Sequence, residues 1–529
     1  MNHCRKRHAG WMLSMALIAG LAALPAPQPA LARVPGFHFH PYDLGNNGLG
    51  RKDGDRAISR AQAEADLQVL AKAIDENSAY TWSSTFDYRK SLAELSAALP
   101  EPVSVNGLSV QLDRFIRLFG DDHAQVIDWD ARLPQAGVPF RIGKADARYF
   151  LYLPAQSRFV DPAYPYVRAI DGVAIEEWMR VAGDIGQGPL SSPAARFSRA
   201  QRLFPYIDHL RGVMGLPVGG AVTLELVADD GSRSVTRSVP LQPNPGKNPK
   251  PFVLPDDSRM LDNNIGYLRV HSHSGEKSDA LVRDIPRLMD QFKSTDALII
   301  DARQCGGGKR AVLNALFPYF MPAAAKPYVF NVVKLRTSQV KPGQDPATLF
   351  DDEDKRFLYV GDKALPQAEV LAYRDFAANF IPAWTPPVDK FTDWYFMALK
   401  PQAGKPYYGK PVYLLIDWGV GSAGDIFASA FKSWPGITLV GTPTMGRSGQ
   451  GRPYKLPASG LEVNISTMAS FQKTGERYDT VGIQPDITIE PIPSDWFGKT
   501  DSMLARVQGL IARRLGKPLV AATTTERTP

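Results

Sequence analysis

DWGVGSAGDIFASAFKSW, residues 417–434, decides how the chain is read. The apolar run PVYLLI (411–416) enters it as a strand. Ile426, Phe427, Ala430, Phe431 and Trp434 leave it at helical spacing. Between the two lies a glycine-rich corner holding one serine, Ser422. Unpaired N–H groups and the dipole at a helix start favour negative charge. A serine there can therefore attack a carbonyl while the Ala423 amide receives the oxyanion. The same serine can instead be a helix cap, because Asp425 stands where a capping box places its acid. The corner is not a G-x-S-x-G elbow, since position 420 is Val, so the lipase-type hydrolase reading fails.

Three further stretches can carry chemistry. LIIDARQCGGG (298–308) is a buried strand ending in a charged pair and a glycine triplet, which can present free N–H groups to a ligand. It is no phosphate loop, because Arg310 rather than Ser or Thr follows Lys309. FGDDHAQV (119–126) sets His123 behind two acids at the end of a helix, and histidine is the usual base for a serine hydroxyl. YDTVGIQPDITI (478–489) reads only as a turn and then a strand. The pairs His38-x-His40 and His271-x-His273 lack a third ligand, so no metal or other cofactor is implied.

Bulk properties narrow the class. The chain has 529 residues, 44% of them hydrophobic, enough for two or three domains. Residues 1–32 have a basic start, an apolar run from Trp11 to about Ala23 and a small-x-small end, Ala30-Leu31-Ala32. That is the anatomy of a cleaved secretory signal, and it implies a periplasmic or secreted protein with no later membrane span. The formal charge is +7, and three of those cations leave with the signal. The mild remainder argues against a nucleic-acid partner. Cys4 leaves as well, so Cys305 has no partner for a disulfide.

Along the chain, 33–130 is expected to be a helical domain, with ISRAQAEADLQVLAKAIDE and YRKSLAELSAAL as helices and a third starting at Asn106 or Ser109. Short alternating runs fill 137–242, with a hairpin around Asp229–Ser232 and a short helix at 176–183. A proline-rich linker, 243–257, follows. From 258 to 497 strands and helices alternate, an α/β layer architecture. LEVNISTMASF (461–471) is expected as one strand, and 340–408 as an irregular insertion and candidate lid. A closing helix (498–517) and a frayed tail (518–529) end the chain.

Four pieces in this order resemble the tail-specific, or C-terminal processing, serine protease family. They are Asp301–Gly308, Ser422-Ala423-Gly424-Asp425, Gly441-Thr442-Pro443-Thr444-Met445-Gly446, and Gly482-Ile483-Gln484-Pro485-Asp486. The resemblance spans roughly 258–492, and Ala169-Ile170-Asp171-Gly172 is similar to a PDZ-like module that many members carry. It implies a crotonase/ClpP-like spiral core and a peptide or protein substrate. One branch of the family uses a Ser/Lys dyad, but the lysine position is Arg447 here, and arginine stays protonated. The other branch, with tricorn-like members, takes a histidine from a D-x-H segment, which Asp121-Asp122-His123 matches. The resemblance thus implies Ser422 as nucleophile, His123 as base, Asp479 as supporting acid, and Ala423 with Gly307 as oxyanion donors. Arg447 is left as a substrate-carboxylate ligand or a plain surface arginine. Cys305 replaces the family's asparagine. The other readings are a non-catalytic peptide- or lipid-binding protein on the same fold, and a hydrolase of small esters or lactams.

Overall fold

The strand before Ser422, Val412–Ile416, and the strand after its helix, Ile437–Gly441, are neighbours in a six-stranded sheet of the computed structural model, which describes residues 54, 56–133, 136–243, 252, 254–351 and 356–518. The signal segment 1–32 lies outside the described residues, as do most of the linker's first half and all of the tail after 518. The sheet runs Arg259–Leu261, Ile265–Arg269, Ala297–Asp301, Val412–Ile416, Ile437–Gly441, Ile487–Thr488. All neighbours are parallel except the first pair. Its middle strands are buried on both faces, as parallel sheets require, which is why they read as continuous apolar runs.

A helical layer forms where the sequence predicts one. Helices α1 (Arg60–Asn77), α2 (Tyr88–Ala98) and α3 (Val105–Arg117) bury their apolar stripes, and Ser59 with Gln62 makes a capping box on α1. The third helix starts at Val105 on the cap Ser104, one residue before the nearer expected start. Asp66 of α1 accepts from the amides of Ala458 and Ser459, and Arg336 donates to the carbonyls of Ser78 and Asp75. These bonds fasten the layer to the hairpin and sheets of the 258–497 region.

Residues 141–240 form a seven-stranded antiparallel sheet closed by the hairpin Ala221–Val227/Ser234–Pro240. Against it pack α4 (Ile175–Gln187), α5 (Pro193–Leu203) and α6 (Ile207–Met214). The last two helices were not expected. Buried Arg199 breaks the apolar period of α5, but Ser192 before Pro193 is a start signal the sequence does offer.

Two further expectations fail. LEVNISTMASF is not one strand: Thr467 bonds to Gln450, and the run splits into Glu462–Ser466 and Met468–Gln472, which join different sheets. Residues 340–408 are not structureless. They contain α9 (Gln367–Ala377) and the strand Tyr395–Leu399, which sits inside a four-stranded antiparallel sheet beside Tyr328–Leu335. The remaining helices are α7 (Glu276–Phe292), α8 (Ala311–Leu316), α10 (Ala423–Phe431), α11 (Tyr478–Val481), α12 (Pro493–Trp496) and α13 (Ser502–Arg514). Among the described residues no helix is long and apolar enough to cross a membrane.

The charged pair at the end of LIIDAR proves structural. Asp301 is fully buried and accepts from Tyr267 and, at 2.9 and 2.6 Å, from Arg303. Arg303 continues to Asp501, the cap of α13, through two bonds of 2.7 Å. Burial alone would raise the Asp301 carboxyl, but the Arg303 guanidinium outweighs it and holds it down at about 2. Asp301 therefore adds stability above about pH 4 that is lost as the pH falls toward 2. Arg303→Met should cost about 3–5 kcal/mol in urea unfolding near neutrality. The deficit should narrow on acidification, because a protonated Asp301 no longer needs the cation.

Candidate active site

Ser422 opens α10 with φ 56° and ψ −116°, a left-handed conformation that a non-glycine residue adopts only under constraint. The capping alternative does not form: the hydroxyl makes no cap hydrogen bond. Asp425 is used elsewhere, accepting from the Thr444 hydroxyl and from the amides of Gly446 and Arg447 at 2.5, 2.9 and 2.7 Å. The half-buried serine is thus released from local bonding, with its own helix N-terminus beneath it. Ala423, the first helical residue, has no carbonyl one turn back to accept its N–H.

The glycine triplet lies against this corner. The Gly421 amide donates to the Cys305 carbonyl at 3.2 Å. Gly307 has φ +124°, and a methyl group there would stand 2.7 Å from the Ser422 Cβ and 3.2 Å from the Ala423 nitrogen. Only glycine lets the loop approach so closely. Gln304 holds the loop's entry, its amide and side chain both donating to Asp417.

His123 comes from the helical layer. Gln125 and Val126 pair antiparallel with Asn464 and Val463. The Asn464 amide donates to the His123 carbonyl at 2.9 Å, and Asp121 accepts from the Ser466 amide and hydroxyl at 2.9 and 2.7 Å. Asp121 also accepts from the His123 amide at 3.0 Å. A ring nitrogen of His123 and one carboxylate oxygen each of Asp121 and Asp479 lie within 4.8 Å of one another. Among the described residues this is the group spaced to hold a metal ion, but both carboxylates already accept several hydrogen bonds.

Asp479 is fully buried and faces the imidazole without a hydrogen bond to it. Its carboxylate accepts from the Tyr80 and Ser448 hydroxyls at 2.8 and 3.0 Å and from the Asp122 amide at 3.3 Å. The His123 Nδ1 is buried without a partner. Burial raises the Asp479 carboxyl, and the neighbouring charge of Asp479 adds to burial in raising Asp121, to about 6, and Asp122, well above its usual range. Asp425 is pushed up to about 7, chiefly by burial. His123 is moved the other way: burial first, then the charges of Arg447 and Arg310, hold it well below 6.5. The ring is therefore neutral at neutral pH, the form a base needs.

Arg447 links the two halves. Its Cδ lies 3.7 Å from where a Cβ on Gly421 would stand, so the glycine makes room for it beside the serine turn. Its guanidinium donates to the Met445 sulfur at 3.8 Å, and although the charges of Asp122, Asp425 and Asp121 reach it, no carboxylate stands within 4.0 Å of it among the described residues. Gly446, at φ +81°, fits the loop under α11, where a methyl group would meet the Tyr478 carbonyl at 2.2 Å. Sequence reading missed Tyr80, Ser448 and Asn464. None sits in a chemical motif, and each lies far along the chain from the residue it supports.

Residues 264–489 match the family model described as peptidase family S41. A Chlamydia pneumoniae protein is 23% identical over 257 residues, covering 44% of this chain and 41% of its own length. A carboxy-terminal-processing protease of Bartonella bacilliformis is 30% identical over 90 residues, covering 17% of this chain and 20% of its own. The chain thus spans less than half the length of these curated relatives. Mature CPAF complexed with lactacystin has a TM-score of 0.56 at 18% identity, over 86% of this chain and 99% of that one. A mutant form of CPAF gives 0.58 at 16% identity, over 88% and 99%. These two likenesses show the fold.

The electrostatics predict a titration. His123, followed by NMR of its ring protons, should remain neutral well below pH 6.5. Arg447→Gln removes a cation that disfavours the imidazolium, so the pKa should rise toward 6.5. An unchanged or lower value in that variant would contradict the assigned cause.

Proposed function

We propose that this chain, whose residues 264–489 match peptidase family S41, is a serine-type endopeptidase of that tail-specific family working through Ser422 and His123. It would cut peptides or unfolded protein tails. The observation that carries the reading is the strained, uncapped Ser422 at the start of α10 beneath Gly307.

In this mechanism the Ser422 Oγ attacks a peptide carbonyl carbon and His123 accepts its proton. The oxygen of the tetrahedral intermediate takes hydrogen bonds from the Ala423 amide and, on the facing loop, from the Gly307 amide. One such donor is typically worth about 10²–10³ in rate. Collapse breaks the C–N bond, and the imidazolium passes its proton to the leaving amine. Water, deprotonated by His123, then hydrolyses the acyl-serine. Asp479 balances the imidazolium charge from within 4.8 Å. Its bonds to Tyr80, Ser448 and Asp122 leave it a fixed counter-charge rather than a proton carrier.

Arg447 is proposed as the ligand of a substrate carboxylate, because its half-buried guanidinium lacks a carboxylate partner. The antiparallel sheet of 137–242, read as a PDZ-like module, would take an extended peptide by strand addition. The core of 258–497 is read as a crotonase/ClpP-like spiral. The signal-like residues 1–32 suit a periplasmic or secreted site of action.

Peptide or casein cleavage tests the assignment. Ser422→Ala and His123→Ala should each lower kcat by about 10⁴-fold or more, and jointly by little more than either alone. Asp479→Asn should lose less, on the order of 10²–10⁴. A fluorophosphonate should label the native chain at Ser422. Equal residual cleavage by all variants, with no labelling, would sink the peptidase and leave a peptide- or lipid-binding protein on this fold.

A further inference from the structure

A cavity of about 380 Å³ opens between the antiparallel module and the central sheet region. One wall is made by α4 and α5, the other by Trp418, Thr442, Pro443 and Trp496. Two segments of the second wall also build the candidate active site. Trp418 lies on the turn that carries Ser422, and Thr442-Pro443 lead into Met445 and Arg447. Ser192, the cap of α5, donates its hydroxyl to the Met445 carbonyl at 2.6 Å, so the first wall is fixed to the same loop.

The floor is aromatic. Trp418 and Trp496 stack at 5.3 Å with an 18° tilt, and Phe197 sets its edge on Trp418 at 5.5 Å. Tyr149 completes the lining. The charges around the cavity sort into spent and unspent. Arg180 is paired with Glu177 and Asp184 at 2.5 and 2.9 Å, and Arg196 with Asp184 at 2.9 Å. That leaves Glu176 and Glu490, neither with a cation within 4.0 Å among the described residues. Lys144, its ammonium 5.5 Å from the Tyr149 ring centroid, is the one unspent cation of the lining. Once Arg180 and Arg196 are set against Glu177 and Asp184, two unpaired carboxylates remain against one ammonium, and partial burial lifts the Glu490 carboxyl in spite of Lys144. Aromatic faces beside unpaired carboxylates suit an alkyl chain ending in a cation.

We propose that this cavity is a subsite for a basic side chain of the substrate, a lysine or arginine lying a few positions from the cut bond. The proposal rests on the reading of the chain as a peptidase. The methylene stem lies on Trp418 and Trp496, and the cation reaches Glu176 and Glu490. An apolar side chain would fill the same space but leave both carboxylates facing it unpaired.

The test is a peptide scan. A lysine is moved along an acetylated, amidated peptide, with norleucine and glutamate counterparts at each position. Binding is read by fluorescence anisotropy on Ser422→Ala chain, which needs no turnover, and hydrolysis is read on the native chain. At one position lysine should bind about tenfold tighter than norleucine, a difference that fades with salt. Glu176→Gln/Glu490→Gln should abolish that difference while leaving the norleucine peptide's affinity unchanged; both side chains reach solvent and neither is in an ion pair among the described residues, so the fold should survive. Norleucine or glutamate equal to lysine at every position, or a preference that survives the double substitution, would overturn the subsite. Lysine-selective binding without hydrolysis by native chain would uphold the subsite and overturn the peptidase alone.

Discussion

Two rungs of antiparallel ladder, Gln125 against Asn464 and Val126 against Val463, hold the His123 segment at the candidate site. His123 and Asn464 are separated by 341 positions, and nothing local forces them together. The pairing brings the helical layer's last segment onto a hairpin of the 258–497 region. The Asn464 side chain and Ser466 then fix the backbone of His123 and the carboxylate of Asp121. Side chains alternate faces along a strand, so a slip of one residue here would turn the histidine away. The anchors at Asp66 and Arg336 hold the layer in that register.

The same join creates an electrostatic problem, and the site is largely its solution. Asp121, Asp122, Asp425 and Asp479 are all buried there. Unpaired, each would be costly to hide. Each instead collects donors: hydroxyls of Tyr80, Ser191, Ser448, Ser466 and Thr444, and backbone amides of the loops being positioned. The carboxylates thus act as pegs that organise the 121–124 and 444–448 loops. Burial raises their pKa values, with the charge of Asp479 adding to it at Asp121 and Asp122, so the cluster keeps protons that isolated acids would release.

Legibility in the sequence followed contact range. The serine corner, the glycine triplet and the parallel strands were readable because each is a local pattern: an apolar run, a turn, a helical period. The four ordered motifs then carried the resemblance, and with it His123 and Asp479. Tyr80 and Ser448 were invisible, since an isolated tyrosine or serine is polar surface until the fold buries it against Asp479. The split of 461–471 was hidden because both halves alternate well, and only Thr467 bonding to Gln450 separates them. The strand Tyr395–Leu399 was masked by flanking prolines and aromatic residues that read as an irregular insertion. Ser422 itself was undecided between nucleophile and cap, and the backbone angles removed the cap.

With arginine at 447, the proposed base has to come from a distant part of the chain. A lysine there could shed its proton and serve the serine directly, and the helical layer would then be dispensable to the chemistry. A guanidinium cannot do this at any ordinary pH. It does something a lysine base could not do while acting as a base: its permanent charge adds to burial in holding the His123 ring neutral. The same charge packs at Gly421 beside the serine turn, with no carboxylate within 4.0 Å among the described residues. In the proposed mechanism arginine makes that position a source of field rather than a proton acceptor. The proton's destination then lies in another lobe, and the proposed chemistry needs the two-rung ladder that joins them.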